Sequence, residues 1–323
     1  MTILVTGVAG FIGFHVAQAL LRRGETVCGL DNVNDYYAVA LKRARLAELA
    51  KSRAFAFHEI DIADRDAVAA ACGRHPEISG IIHLAAQAGV RYSLVNPYAY
   101  VQSNLMGQVV MLEAARRLDR LRAFVYASSS SVYGANTKQP FAIEDRVDDP
   151  VSLYAATKRA CELAAISYCH LYAMPATGLR FFTVYGPWGR PDMAAYLFAD
   201  AIVAGRPIDV FNEGRMARDF TYIDDVVAGT VAAFDRQPPA GAPHRLYNLG
   251  NHRPEKLTRF IEVLEQALGR TAQKRLLPMQ PGDVTESFAD IEASRRDLGF
   301  EPRTPIEVGI PNFVRWYREY HGL

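Results

Sequence analysis

Tyr154 and Lys158 stand four residues apart in Tyr154-Ala155-Ala156-Thr157-Lys158, a spacing that sets a phenol and an ammonium on one face of a helix. A phenol whose pKa is about 10 is a poor base at neutral pH, and a nearby cation favours the phenolate. Such a pair can take the proton of a substrate hydroxyl. Upstream, Ser128-Ser129-Ser130-Ser131-Val132-Tyr133-Gly134 follows an apolar strand, where a serine can bridge a substrate oxygen and the phenol. A tyrosine and a lysine four apart are common by chance, so the pair gains meaning only from what surrounds it.

Near the start, Gly7-Val8-Ala9-Gly10-Phe11-Ile12-Gly13 follows a predicted strand directly and opens a predicted helix. Glycines there permit a tight turn, and the helix N-terminus offers unpaired N–H groups to a pyrophosphate. The spacing is GxxGxxG rather than GxGxxG. Asp31 ends the second predicted strand at the distance of about 20 residues where a ribose-binding acid belongs. Its carboxylate would accept from ribose hydroxyls and repel a 2′-phosphate. No arginine follows in Asn32-Val33-Asn34, which favours NAD over NADP, and Asp61-Ile62 after the third strand suits the adenine edge.

The elements that must carry these residues alternate along the first half. Strands are predicted at Thr2–Thr6, Thr26–Leu30, Phe55–Ile60, Ile81–Leu84 and Phe124–Ser128. Helices are predicted at Ile12–Arg22, Val39–Ala50, Arg65–Cys72, Pro97–Arg117 and Leu153–Leu171. This pattern means βαβ units and an α/β fold: a Rossmann doubly wound parallel sheet covered on both faces. Beyond Arg180, Pro and Gly punctuation becomes frequent, as in Gly186-Pro187-Trp188-Gly189-Arg190-Pro191. We therefore expect residues 1–180 to form a dinucleotide-binding domain, with chain returning to the main sheet near Asp219–Thr230 within a segment at 219–250. Most of 181–323 is expected to form a smaller, discontinuous α/β substrate domain.

Composition narrows the functional classes. The chain has 323 residues, 50% hydrophobic and 22% charged, with a formal charge of +1. No basic block suggests nucleic acid or an anionic membrane surface, and no stretch nears the ~20 apolar residues of a membrane span. The start, Met1-Thr2-Ile3-Leu4-Val5, lacks a basic segment before its apolar run, so a cytoplasmic location is the expectation. Cys28, Cys72, Cys161 and Cys169 show no metal-type pairing; Cys161 and Cys169 read as small buried side chains. The histidines form neither HxxxH nor HExxH, so no metal is expected.

Glycine turn, Asp31, serine cluster and Tyr–Lys pair, in this order, resemble the extended short-chain dehydrogenase/reductase family over essentially the whole chain. Further matching segments are His83-Leu84-Ala85-Ala86, Asn104, Arg180-Phe181-Phe182-Thr183-Val184-Tyr185-Gly186-Pro187, Arg218-Asp219-Phe220-Thr221-Tyr222-Ile223-Asp224-Asp225 and Pro281-Gly282-Asp283. The resemblance implies that Tyr154 is the base and that Lys158 holds the nicotinamide ribose. It places Leu84, Ala85, Ala86 and Asn104 at the cofactor, and Arg218 and Asp283 on a UDP group. Counting back from Gly134 puts the family's catalytic Ser/Thr at Ser129, with Ser128 and Ser130 as other claimants. Met193–Gly205 followed by Arg206–Phe211 resembles the uridine-binding region, which makes Val210 and Phe211 candidates, although these residues also read as plain core.

Family members that dehydrate or decarboxylate carry an acid in the serine loop, where this chain has Ser130 and Ser131. Epimerisation at C4 through a transient 4-keto sugar is the remaining expectation, with NAD regenerated and tightly bound. Gln87-Ala88-Gly89-Val90-Arg91-Tyr92-Ser93 and Tyr185–Met193 resemble the subgroup that interconverts UDP-glucuronic acid and UDP-galacturonic acid. Arg190 is the first candidate for the carboxylate, because a guanidinium binds one through two parallel hydrogen bonds; Arg91 and the Thr183 hydroxyl are further donors. The rival readings are a UDP-glucose or UDP-N-acetylglucosamine 4-epimerase, and a non-catalytic NAD-binding regulator on the same fold. A homodimer through helices near Pro97–Arg117 and Leu153–Leu171 is expected by family analogy alone.

Overall fold

The computed structural model describes residues 1–236, 238, 243–279 and 284–323. The first half runs β1 (Thr2–Thr6), α1 (Phe11–Arg22), β2 (Thr26–Asp31), α2 (Val39–Leu49), β3 (Phe55–Glu59), α3 (Arg65–Arg74) and β4 (Ile78–His83). Short helices α4 (Tyr92–Val95) and α5 (Pro97–Tyr100) lead through a π-helical turn at Val101–Met106 into α6 (Gly107–Ala115). β5 (Ala123–Ser129), α7 (Leu153–Tyr172) and β6 (Ala176–Phe181) complete the unit. Each strand is a short apolar run: every residue of β1 and of β6 is buried, as a parallel strand covered on both faces requires.

Among the described residues these strands form one parallel sheet of seven, in the order β11-β6-β5-β4-β1-β2-β3, where β11 is His244–Leu249. The order reverses between β1 and β4, and the crevice at the carboxyl ends of the strands there is where open α/β sheets bind ligands.

The second half supplies β7 (Thr183–Tyr185), α8 (Ala194–Val203), β8 (Ile208–Phe211), β9 (Ala217–Arg218), β10 (Phe220–Tyr222) and α9 (Ile223–Asp235) before β11. After β11 come β12 (Glu255–Lys256), α10 (Leu257–Leu268), β13 (Lys274–Leu277), β14 (Glu286–Ser287), α11 (Glu292–Leu298) and α12 (Ile306–His321). They make small sheets, β7 with β10, β8 with β13, and β9 between β12 and β14. One expectation is corrected here. The strand at Phe220–Tyr222 pairs with β7, and the strand that rejoins the main sheet is β11, beside β6.

The helix expected over Pro97–Arg117 is also interrupted. Asn104 sits inside the π turn with its side chain bonded to the Gln87 N–H at 2.9 Å, the Gln87 carbonyl at 3.1 Å and Thr157 Oγ1 at 3.0 Å. Its carbonyl accepts from the Cys161 thiol. These bonds tie the turn to the loop after β4 and to α7, and single π turns mark places where such extra contacts are made.

Under the serine loop lies a buried ion pair. Arg180 of β6 reaches Glu162 of α7 through two hydrogen bonds, Nε to Oε1 at 2.8 Å and Nη2 to Oε2 at 3.0 Å. Ser128 donates to the same carboxylate at 2.6 Å. Burial pushes the Glu162 carboxyl up, but the bonds from Arg180, Ser128 and Arg159 outweigh it and hold it below the ordinary range. The pair's stabilisation is therefore present above the unfolded carboxylate range and is lost as pH falls through the depressed folded value. Arg180→Leu leaves the carboxylate buried without its cation and is expected to cost about 3–5 kcal/mol, read as a lower urea midpoint. Replacing both residues by leucine should regain part of that loss; an unchanged midpoint in the single variant would contradict this account.

Candidate active site

A cleft of ≈ 1200 Å³ opens along the carboxyl ends of the sheet. It gathers most of the residues singled out in the sequence: Gly7, Gly10, Phe11, Ile12, Gly13, Asp31, Asn32, Ile62, Leu84, Ala85 and Ala86 at one end, with Tyr154 and Lys158 beside them. Arg91, Ser128, Ser129, Ser130, Thr183, Arg190, Phe211 and Arg218 line the remainder.

The glycine turn is shaped by contact with its own backbone. Gly7 has φ +71°, and a Cβ there would stand 2.7 Å from the Ala85 nitrogen; a Cβ on Gly13 would meet the Gly7 carbonyl oxygen at 2.0 Å. Gly10 caps α1 with no side chain across the helix end, so the first-turn N–H groups face the cleft. Behind this turn, Asp31 accepts from the Ala9 N–H at 3.0 Å and the Val33 N–H at 2.8 Å. Burial pushes its carboxyl up against the pull of those bonds and of Lys42 and Arg45. Anion-ready N–H groups, close-packed glycines and a carboxylate at the end of β2 fit a dinucleotide with a free ribose diol. Asp61 accepts from the Asn32 amide at 3.0 Å, which draws it to the same edge, although it does not line the cleft itself.

At the chemical end, Ser152 caps α7 by accepting from the Ala155 N–H at 3.1 Å, which puts Tyr154 in the first turn. Lys158, buried, donates to the Ala127 carbonyl of β5 at 2.9 Å. The Tyr154 ring meets Tyr100 edge-on at 5.9 Å. Of the three serines, Ser128 is committed to Glu162, which takes its hydroxyl proton away from a substrate. Ser129 Oγ accepts from the Ser131 N–H at 3.2 Å and keeps its own proton to give, and Ser130 lines the cleft beside it.

The loop carrying Arg190 is firmly held. Buried Arg45 donates to the Ala9 carbonyl of the glycine turn at 2.8 Å and to the Trp188 carbonyl at 2.6 Å. His15 of α1 bonds the Pro187 carbonyl at 2.9 Å, and the Trp188 ring packs on Trp316 at 5.3 Å. Arg190 itself already has a carboxylate partner. Its Nε donates to Asp192 Oδ1 at 3.0 Å and its Nη2 to Oδ2 at 2.5 Å, while Tyr36 OH donates to that same oxygen at 2.9 Å. Burial pushes Asp192 up, but the charge and bonds of Arg190, with Tyr36, hold it below the ordinary range.

Several placements differ from expectation. Asn104 is buried between Gln87 and Thr157 and does not line the cleft, so it braces the wall. Val210 turns into the core, whereas the next residue of β8, Phe211, faces the cleft under the Arg91 guanidinium at 4.9 Å. Alternation along a strand explains why only one of the two can do so. Asp283 lies outside the described residues. Tyr36, Arg45, Glu162 and Asp192 were missed; the spacing of Arg190 and Asp192 was the one local hint.

A parallel sheet with a glycine turn at its switch point, and a Tyr–Lys pair beside a serine loop, define a dinucleotide-dependent enzyme that acts on a substrate hydroxyl. The chain belongs to the NAD dependent epimerase/dehydratase family, whose model matches residues 3–250. It is 49% identical over 334 residues to a probable UDP-glucuronate 4-epimerase of Rhizobium meliloti (strain 1021), covering 98% of this chain and 97% of that one. It is 48% identical over 335 residues to UDP-glucuronate 4-epimerase 4 of Arabidopsis thaliana, covering 100% of this chain and 76% of the relative. The UDP-glucuronic acid 4-epimerase of Bacillus cereus, solved with UDP-glucuronic acid and NAD, superposes with a TM-score of 0.92 at 33% identity, over 99% of this chain and 100% of that one.

Asp31→Asn tests the expectation that the Asp31 carboxylate accepts from the cofactor's ribose. A hydrogen bond to a charged group contributes about 1.5–3 kcal/mol, so NAD affinity is expected to fall roughly 10–150-fold. Calorimetric titration of NAD into cofactor-stripped protein measures this, and an unchanged Kd would detach Asp31 from the cofactor.

Proposed function

We propose that this enzyme interconverts UDP-glucuronic acid and UDP-galacturonic acid by inversion at C4 through a transient 4-keto sugar, with NAD retained from one cycle to the next. The observation that carries the reading is the meeting of Tyr154, Lys158 and Ser129 with Arg190 in one cleft. The names of the relatives support the same substrate. In this reading the cofactor occupies residues 1–180 and the returning segment at 219–250, and most of 181–323 receives the nucleotide sugar.

Tyr154 takes the proton of the 4-OH, and Ser129 bridges the same oxygen and the phenol. Lys158, anchored on Ala127, supplies the cation that favours the phenolate and holds the nicotinamide ribose. Bound NAD accepts the C4 hydride and returns it to the opposite face of the sugar. The carboxylates lining the cleft among the described residues are Asp31 at the ribose end, Asp192 on Arg190, and Asp209 on Arg275 at 2.6 Å. None stands in the serine loop, where dehydration or decarboxylation would need an acid. Phe211 and Arg218 border the nucleotide end, and Asp283 is proposed there from the family pattern.

A 4-keto uronate is a β-keto acid and loses CO₂ when its carboxylate aligns with the ketone π system. Arg190, with Thr183 and Arg91 as further donors, pins that carboxylate and keeps it from aligning. The clamp by Asp192 occupies the Nε edge of the guanidinium, so the substrate meets the Nη1 side. A UDP-glucose epimerase needs no such cation, which is why the uronate reading is favoured over that rival. The four free, buried cysteines accord with the cytoplasmic location we propose. A homodimer is part of the reading as well. Leu94 and Val95 of α4, Tyr98 of α5, and Leu163 and Leu171 of α7 are large apolar side chains exposed at the surface.

Purified protein incubated with UDP-glucuronic acid and no added NAD is expected to produce the anomeric proton signal of UDP-galacturonic acid. No change, even after NAD is added, would overturn the assignment. Tyr154→Phe should lower kcat by about 10²–10⁴, the usual worth of a positioned acid–base group. Arg190→Leu should lower kcat/KM for the uronate by roughly 10–150-fold and raise the share of decarboxylated UDP-4-keto-pentose. Intact turnover in that variant would remove Arg190 from the carboxylate.

A further inference from the structure

Away from the cleft, on the face of the sheet covered by α3, three ligand-type side chains converge that the proposed reaction does not use. In the parallel pairing of β2 and β3, Cys28 lies opposite Ala56 and Leu30 opposite His58. Side chains two apart along a strand share a face, so Cys28, Leu30 and His58 point the same way. Cys28 and Leu30 pack there with Val68, Ala71 and Cys72 of α3. His75, the residue capping the end of α3, closes the group from above. The Nε2 atoms of His58 and His75 are 2.9 Å apart, and the Cys28 sulfur and one nitrogen of each ring lie within 4.8 Å of one another.

The second nitrogen of His75 gives the arrangement its direction. Nδ1 stands 3.3 Å from Glu77 Oε1, the partner that fixes the proton on Nδ1 and turns the unprotonated Nε2 toward the cluster. A carboxylate behind a histidine is the usual outer support of a metal-binding imidazole. With the His75 proton on Nδ1, the 2.9 Å contact between the rings requires a proton on His58 Nε2, which fills the space between them. At ordinary Zn–N distances two nitrogens of a tetrahedral site sit about 3.3 Å apart, so opening the rings by a few tenths of an ångström admits an ion in place of that proton.

We propose that Cys28, His58 and His75 form a binding site for a borderline-soft divalent metal of the zinc class, with Glu77 supporting His75 and solvent as the fourth ligand. A thiolate and two imidazoles are the donors such ions select, and calcium or magnesium would not choose them. Cys28 is buried while the His75 side chain is 22% exposed, so the ion enters from the solvent side and its last ligand is water. Binding releases the thiol proton, while the His58 proton passes from Nε2 to Nδ1 so that both imidazoles ligate as neutral rings, and it involves no change of oxidation state. The ion would cross-link β2, the edge strand β3 and the end of α3, three residues before Asp31 on β2. The site does not depend on which sugar the cleft accepts.

The test uses tag-free holoenzyme with its NAD, treated with a chelator and dialysed, then titrated with Co²⁺. One equivalent is expected to produce a thiolate-to-cobalt charge-transfer absorption that Zn²⁺ displaces. Cys28→Ala should abolish that band, and His58→Ala should weaken binding at least tenfold, both with NAD content and circular dichroism unchanged. A Glu77→Gln variant should bind roughly 10–100-fold more weakly, the usual effect of losing an outer partner. Absence of the band in the parent protein, or an equal band in Cys28→Ala, would overturn the proposal. Should Cys28→Ala misfold, His75→Ala read by the same absorption decides instead.

Discussion

The catalytic end of this molecule depends on a charge pair that water does not reach. Tyr154, Lys158 and Glu162 follow one another at four-residue intervals along α7 and so share a single stripe. Lys158 is tied to the Ala127 carbonyl, and Glu162, one turn further, is tied to Ser128 and Arg180. Burying two charges is costly unless the geometry is bidentate and the remaining valences are filled. Here the contact is bidentate and Ser128 and Arg159 add bonds to the carboxylate, while Arg180 Nη1 has no hydrogen-bond partner among the described residues. Because Arg180 and Ser128 come from adjacent strands, the pair sets both the height and the rotation of α7 against the sheet. Tyr154, at the free end of the stripe, inherits that register.

The same interaction extends across the sheet. The Arg180 guanidinium lies over the Tyr133 ring at 4.8 Å, and Tyr133 OH donates to Asn248 of β11 at 2.7 Å. The serine loop is thus fastened to the strand that returns from the second half of the chain. Arg45 does the comparable work at the cofactor end, joining the glycine turn to the loop that carries Arg190. Two buried arginines therefore hold the two halves of the cleft to one frame, and a preorganised site needs such support behind the groups that meet the ligand.

What was legible in the sequence is what local spacing encodes. The βαβ rhythm, the glycine turn, Asp31 at the end of β2 and the Tyr–Lys stripe all follow from periodicity and motif distance, and the structure places each near its expected bounds. The π turn was not legible, because it arises from what Asn104 bonds across the fold rather than from helix propensity. The competing claims of Ser128, Ser129 and Ser130 could not be separated along the chain, since Ser128 is claimed by a carboxylate 34 residues away. Val210 and Phe211 read alike as apolar residues, and only which face of β8 turns to the cleft decides between them. The return to the main sheet was expected near Asp219–Thr230, whereas the strand that makes it is His244–Leu249, at the far end of the expected 219–250 segment. Its mixed His-Arg-Leu-Tyr-Asn-Leu sequence gives little strand signal, and strand pairing is a long-range choice.

Arg190 shows how a buried guanidinium can be held at the wall of a cleft by its own carboxylate partner. A guanidinium withdrawn from water without a partner is costly, and Asp192 with Tyr36 offsets that cost. The clamp has a second consequence. In the proposed role of Arg190, the Asp192 charge weakens the pull on a second anion, so a carboxylate gains over a neutral C6 group through charge-assisted hydrogen bonds from the guanidinium's remaining donors. Discrimination then rests on the difference between the two ligands rather than on the strength of one contact. Since Tyr36 belongs to the segment just after Asp31, the carboxylate end and the ribose end of the cleft are mechanically one unit. The loop after β2 therefore also sets the position of Asp192 through Tyr36, and through Asp192 that of the Arg190 guanidinium.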